Sequence, residues 1–95
     1  MAINHQVVAL NANTATTVSI PQANQAPYES KVSLSIQNLD SSIPVYLGAD
    51  GVNSESFGFK LLAGEAFGVD LLAGDTLYAV ADSGNPYVAV FAAEA

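Results

Sequence analysis

The chain has 95 residues and a net charge of −7, from nine acids and two lysines, with one histidine and no cysteine or tryptophan. Two lysines cannot supply the basic footprint that neutralises phosphates, so nucleic acid and anionic membrane surfaces are excluded as partners. Lack of cysteine excludes disulfides, thiolate metal sites and thiol chemistry, while 51% apolar and 12% charged residues mark a folded chain.

This length predicts a single domain over 1–95 with one modest core. Met1-Ala2-Ile3-Asn4-His5 has no basic run ahead of an apolar one, so synthesis in a cytosol without a signal peptide is expected. No apolar run approaches the ~20 residues of a membrane span. Eight short strands are predicted. Gln6–Leu10 and Thr14–Ile20 flank Asn11-Ala12-Asn13, a triplet of hairpin length. Pro21 ends the second strand, and 21–30 is a polar, proline-containing loop. In Lys31–Asn38, Val32, Leu34 and Ile36 alternate with Ser33, Ser35 and Gln37, the pattern of a half-buried strand. A turn at Asn38–Ser42 leads to the strand Ile43–Gly48, with Pro44 near its start.

After a polar loop over Asp50–Ser56, a ten-residue near-repeat begins. Phe57-Gly58-Phe59-Lys60-Leu61-Leu62-Ala63-Gly64-Glu65 returns as Phe67-Gly68-Val69-Asp70-Leu71-Leu72-Ala73-Gly74-Asp75. A step of ten is one strand plus one tight turn. It predicts strands over Phe57–Leu62, Ala66–Leu71 and Thr76–Ala81, with Gly64 and Gly74 supplying positive φ at the turns. Asp82-Ser83-Gly84-Asn85 reads as a hairpin loop and Pro86–Ala92 as the last strand. No window carries a helical period. The fold class is all-β, a compact antiparallel β-sandwich or small barrel of about eight short strands.

Chemistry is scarce. His5 is the lone histidine, among polar neighbours near the N-terminus, and no Gly-x-Ser-x-Gly elbow or metal-ligating cluster accompanies it. The loop Asp50-Gly51-Val52-Asn53-Ser54-Glu55 alternates oxygen ligands but lacks the twelve-residue calcium-loop pattern, and Asp and Asn serve turns for local reasons. Glu65, Asp70 and Asp75 are close in sequence, yet spacing of five on short strands sends them to turns or opposite faces rather than into a glycosidase pair. No catalytic, cofactor or metal site is therefore assigned. The phenylalanines and most tyrosines fall within strands, where core packing is expected. Thr76–Ala81 is apolar on both faces, as befits a central strand or one whose second face meets a partner. Tyr28, between Pro27 and Glu29 in the 21–30 loop, has the look of an interface anchor.

Ile36-Gln37-Asn38, Val45-Tyr46-Leu47-Gly48, Gly58-Phe59-Lys60-Leu61-Leu62-Ala63-Gly64-Glu65, Val69-Asp70-Leu71 and Gly74-Asp75-Thr76-Leu77-Tyr78-Ala79-Val80 form a progression that resembles small structural proteins of tailed bacteriophages. The match runs over residues 31–91 and consists of turn and core positions. The resemblance implies a virion component on the outer capsid surface, a head decoration (cement) protein without enzymatic activity or cofactor. Its implied partners are the major capsid protein and copies of itself, in a symmetric oligomer, commonly a trimer. Candidate capsid or intersubunit contacts are Ile3 and Val7, in an N-terminal arm over 1–8 or in a first strand of the domain, and Pro27 and Tyr28 in the loop. The alternative is a tail or fibre β-module that binds a host receptor or glycan.

Overall fold

The computed structural model describes residues 3–18, 31–72 and 75–94. These form eight strands: β1 (Ile3–Ala9), β2 (Thr16–Thr17), β3 (Lys31–Asn38), β4 (Val45–Gly48), β5 (Phe59–Leu61), β6 (Ala66–Leu72), β7 (Tyr78–Val80) and β8 (Tyr87–Glu94). No helix occurs among the described residues. The strands make two antiparallel four-stranded sheets, β1-β8-β3-β6 and β2-β7-β4-β5. The fold is an all-β sandwich, as the alternation and turn spacing predict.

The pairing has a simple logic. β1 pairs with β8, β2 with β7, β3 with β6 and β4 with β5. That is a long hairpin, with its tip between β4 and β5, rolled up so that successive pairs fall in alternate sheets. Rolling brings β8 beside β3 and β7 beside β4, which completes the two sheets. This is jelly-roll connectivity.

Two predicted hairpins are consequently corners. Asn11-Ala12-Asn13 joins β1 in one sheet to β2 in the other. Asn13 has φ of 60°, its N–H donates to Ala81 O at 2.6 Å, and Thr14 N–H closes the turn on Asn11 O at 3.1 Å. Asp82–Asn85 likewise carries the chain from β7 across to β8. The residue chemistry of a corner and a hairpin is the same, because both need Asn or Gly at positive φ. The near-repeat behaves alike: the turn Leu62–Glu65 leads from β5 to β6 in the opposite sheet. Gly64 sits there at φ 78° with Glu65 N–H on Leu62 O at 3.0 Å, the type II arrangement. Its counterpart Gly74, and the 21–30 loop, lie outside the described residues.

Strand ends also shift. β1 runs Ile3–Ala9, so residues 3–8, the stretch weighed as an arm, are paired with β8 of their own chain. Of the described part of the predicted second strand, residues 14–18, Thr16–Thr17 forms the ladder and Val18 N–H donates to Leu77 O at 2.9 Å. β5 begins at Phe59; before it Gly58 N–H already donates to Leu47 O of β4 at 2.8 Å, and Phe57 sets its ring against Tyr46, centroids 4.9 Å apart.

The core lies between the sheets. Val32, Leu34 and Ile36 of β3 and Val88, Val90 and Ala92 of β8 meet Val45, Leu47, Leu61 and Ala79 of the opposite sheet. Alternate residues of a strand share a face, so β3 hides its three aliphatics and exposes Ser33, Ser35 and Gln37. Truncating any of the large buried aliphatics to alanine costs about 2–5 kcal/mol. Phe59 and Phe67, with centroids 4.4 Å apart, close the gap between β5 and β6 at one edge of the sandwich.

Among the described residues, one polar side chain is wholly buried. Asn38 ends β3 at 0% exposure. Its Nδ2 donates to Ile43 O at 2.8 Å and Leu61 O at 3.2 Å, and its Oδ1 accepts from Asp40 N–H at 2.9 Å. Its backbone bonds Glu65 O and Gly64 N–H. Five residues from two segments, the Asp40–Ile43 turn and the Leu61–Glu65 stretch, therefore converge on a single side chain and its peptide groups. Beside it, Asp40 Oδ2 accepts from Ile43 N–H at 2.7 Å and Ser42 N–H at 2.8 Å. Those amide bonds, the Ile43 bond first, hold its carboxyl below the ordinary 3.8.

Candidate assembly surface

The two outer sheet faces differ. On the sheet β2-β7-β4-β5, Tyr46, Val80 and Tyr78 point outward and are roofed by the chain's own loop, whose Val52 is buried against them. The double-sided apolar pattern of Thr76–Ala81 is thus satisfied within the molecule. Lys60 Nζ lies 5.8 Å from the Tyr46 ring centroid and Phe57 stacks on its edge. The roof is an ordinary loop: Asn53 Oδ1 accepts from Glu55 N–H at 2.8 Å and Ser56 N–H at 2.9 Å. Asn53, one of the oxygen donors of the loop weighed for calcium, thus turns its Oδ1 to its own backbone. A shallow depression of about 170 Å³ beside it, lined by Gly48–Val52 and Ser56–Gly58, has Asp50 as the one ionisable group in its wall.

The outer face of β1-β8-β3-β6 has an open apolar half. In β1 the outward row is Ile3, His5, Val7 and Ala9, facing Ala93, Phe91, Ala89 and Tyr87 of β8. Ile3, Val7, Tyr87 and Phe91 are 60%, 62%, 55% and 48% exposed. The other half of the face is polar: Ser33, Ser35 and Gln37 of β3, with Ser33 Oγ donating to Asp70 Oδ1 of β6 at 2.9 Å.

β1 therefore runs against the usual rule. Its apolar residues Ile3 and Val7 turn to solvent, while Asn4 and Gln6 lie on the core-side row opposite Ala92 and Val90. Register causes this. Val8 pairs with buried Val88, and the period of two then fixes every other side chain of the strand. An apolar row facing water costs stability unless something covers it.

Of the sequence-derived candidates, Ile3 and Val7 share this face. Pro27 and Tyr28 lie outside the described residues. Tyr87 and Phe91, expected in the core, correct that reading: β8 is apolar on both faces, and the smaller Val88, Val90 and Ala92 take the interior. His5 sits between Ile3 and Val7, opposite Phe91. The acids do not converge either. Glu65 Oε1 caps Leu62 N–H at 2.8 Å, Asp70 holds Ser33, and Asp75 follows β6 at the surface. Among the described residues no three His or acidic side chains group to hold a metal ion.

No protein-family model and no curated protein matches the chain. Among solved structures it is similar to one described as "Bacillus endospore appendages form a novel family of disulfide-linked pili", at 14% identity and a TM-score of 0.44, over 94% of this chain and 86% of that one. The present chain has no cysteine.

Proposed function

We propose that this chain is a non-enzymatic structural module of a phage particle, a decoration protein that binds the head surface as a symmetric oligomer and stabilises it. The observation that carries the reading is the open apolar half-face of Ile3, Val7, Tyr87 and Phe91 on an otherwise acidic domain. Such a patch on a small soluble domain marks an interaction surface. The rest of the molecule is suited to a building block. Its conspicuous buried polar residue serves to tie turns together, and its carboxylates serve turns and solubility. Jelly rolls are recurrent in viral shells, and the resemblance over residues 31–91 points the same way. Many weak contacts repeated on a lattice would add up to firm attachment.

The test is co-sedimentation of the purified chain with phage heads that lack it, followed by heating. Saturable binding at a fixed ratio to the major capsid protein, with heads surviving higher temperature, is the expected result. Heads that neither bind it nor gain stability contradict the proposal. Tyr87, exposed beside the Asp82–Asn85 loop, favours the tail-module alternative as a stacking platform for a sugar. Binding to host-surface glycans, abolished in Tyr87→Ala, would establish that alternative.

A further inference from the structure

We propose that the open half-face of β1 and β8 docks on the same face of a second copy, about a twofold axis crossing the strands level with Val90. The inference deepens the assembly reading but needs no particular particle to hold.

Size alternation is the first argument. Along the outward row of β8, large and small side chains alternate: Tyr87, Ala89, Phe91, Ala93. A twofold axis level with Val90 and perpendicular to the strands lays β8 antiparallel over its copy. Phe91 then stands over Ala89 of the second copy and Tyr87 over Ala93, each counted twice by symmetry. The same axis passes level with Gln6 in β1, the register partner of Val90. It places Ile3 over the second copy's Ala9, and His5 beside Val7. Large side chains thus meet small ones along the pairs of β8 and the ends of β1. Stacked sheets about 10 Å apart need this interdigitation, and an isologous contact needs a self-complementary patch.

Charge is the second argument. Each copy carries −7, so two copies approach with least repulsion where carboxylates are missing. Neither outward row of β1 or β8 contains one, whereas the β6 row at the far edge of the same face carries Asp70. A basic partner would be drawn to acids, which this patch does not offer. Area sets the strength. Two strands of this length present on the order of 300–500 Å² per copy, below the ~800 Å² per partner of a standard stable interface. Pairing is therefore expected in the micromolar range.

The size argument has a specific test, because adding apolar bulk at the right place should weaken association. Ala89→Phe sets Phe against Phe91 of the second copy and is expected to weaken pairing at least about tenfold by overpacking. Phe91→Ala with Ala89→Phe exchanges the large and small positions and restores the fit in the same register. Sedimentation equilibrium of the full chain from about 5 µM to 1 mM, with circular dichroism to confirm folding, reads all three. Expected are a wild-type dimer of twice 9.8 kDa, a single variant whose dissociation constant is at least about tenfold higher, and a double variant restored to the wild-type value. A wild-type monomer at 1 mM, a trimer, or a single variant that associates as well as the wild type overturns the proposal. Head binding measured in parallel separates the two claims: a monomer that still decorates heads overturns the pairing alone.

Discussion

Replacing Asn38 by alanine removes the side chain on which the β3 end of the sandwich converges. The substitution leaves Leu61 O, Ile43 O and Asp40 N–H without their partner. The bond to Leu61 O is buried, while those to Ile43 O and Asp40 N–H are only partly so and can be replaced by water. An unmet buried group costs about 1–3 kcal/mol, and exchanging a bond for water about 0.5–1.5 kcal/mol each, so the loss is about 2–6 kcal/mol. A domain of this size has a total of roughly 5–14 kcal/mol, and its thermal midpoint should fall by about 8–48 °C. Urea unfolding followed by circular dichroism measures it, with Gln37→Ala on the exposed face as the control expected within about 0.5 kcal/mol. Asn38→Asp separates bonding from packing, because it keeps the volume and the acceptor but loses both donors and adds a charge. It is expected to be at least as damaging as alanine at neutral pH and to recover on acidification, as its buried carboxyl becomes protonated. Loss below about 1 kcal/mol in Asn38→Ala, or wild-type stability in Asn38→Asp, would refute the reasoning.

Other substitutions test neighbouring parts of the account. Asp40, whose carboxyl is held below 3.8 by the Ile43 and Ser42 amides, contributes stability that is present above that value and is lost as pH falls through the lower folded-state value. The difference in urea midpoint between wild type and Asp40→Ala should therefore shrink on acidification from pH 5; an unchanged difference would show that the carboxylate is not the source. Gly84, at φ 65°, would set a Cβ against Ile43 Cδ1, which must swing aside, so Gly84→Ala should destabilise by about 1–2 kcal/mol in thermal unfolding. Gly51, at φ 90° with open space around it, should lose only about 1 kcal/mol on the same change. Equal losses at the two glycines would remove the role assigned to the Ile43 contact.

Fold class and strand number are legible in the sequence because they rest on local signals. Alternation in Lys31–Asn38 and the ten-residue step after Phe57 are each readable within one window. Connectivity is not. Asn11–Asn13 and Asp82–Asn85 have the composition of hairpin loops, yet each crosses between sheets, and nothing within four residues records which sheet comes next. The assembly face is half legible. Ile3 and Val7 are candidates through the resemblance and the short alternating N-terminus, but the Val7-Val8 doublet leaves the phase of β1 open, and pairing with β8 decides it. Tyr87 and Phe91 escape because β8 is apolar on both faces, so periodicity alone cannot choose the inner one. Asn38 reads as a strand end entering a turn. That it is buried, and bonded to Leu61 twenty-three residues on, follows from the rolled topology alone.

The most direct measurement is cryo-electron microscopy of phage heads to which the purified chain has been added. The account predicts density at regular lattice positions, with the β1 and β8 faces of neighbouring copies turned toward one another and away from solvent. Bare heads, or particles on which those faces stay exposed to solvent, would contradict it.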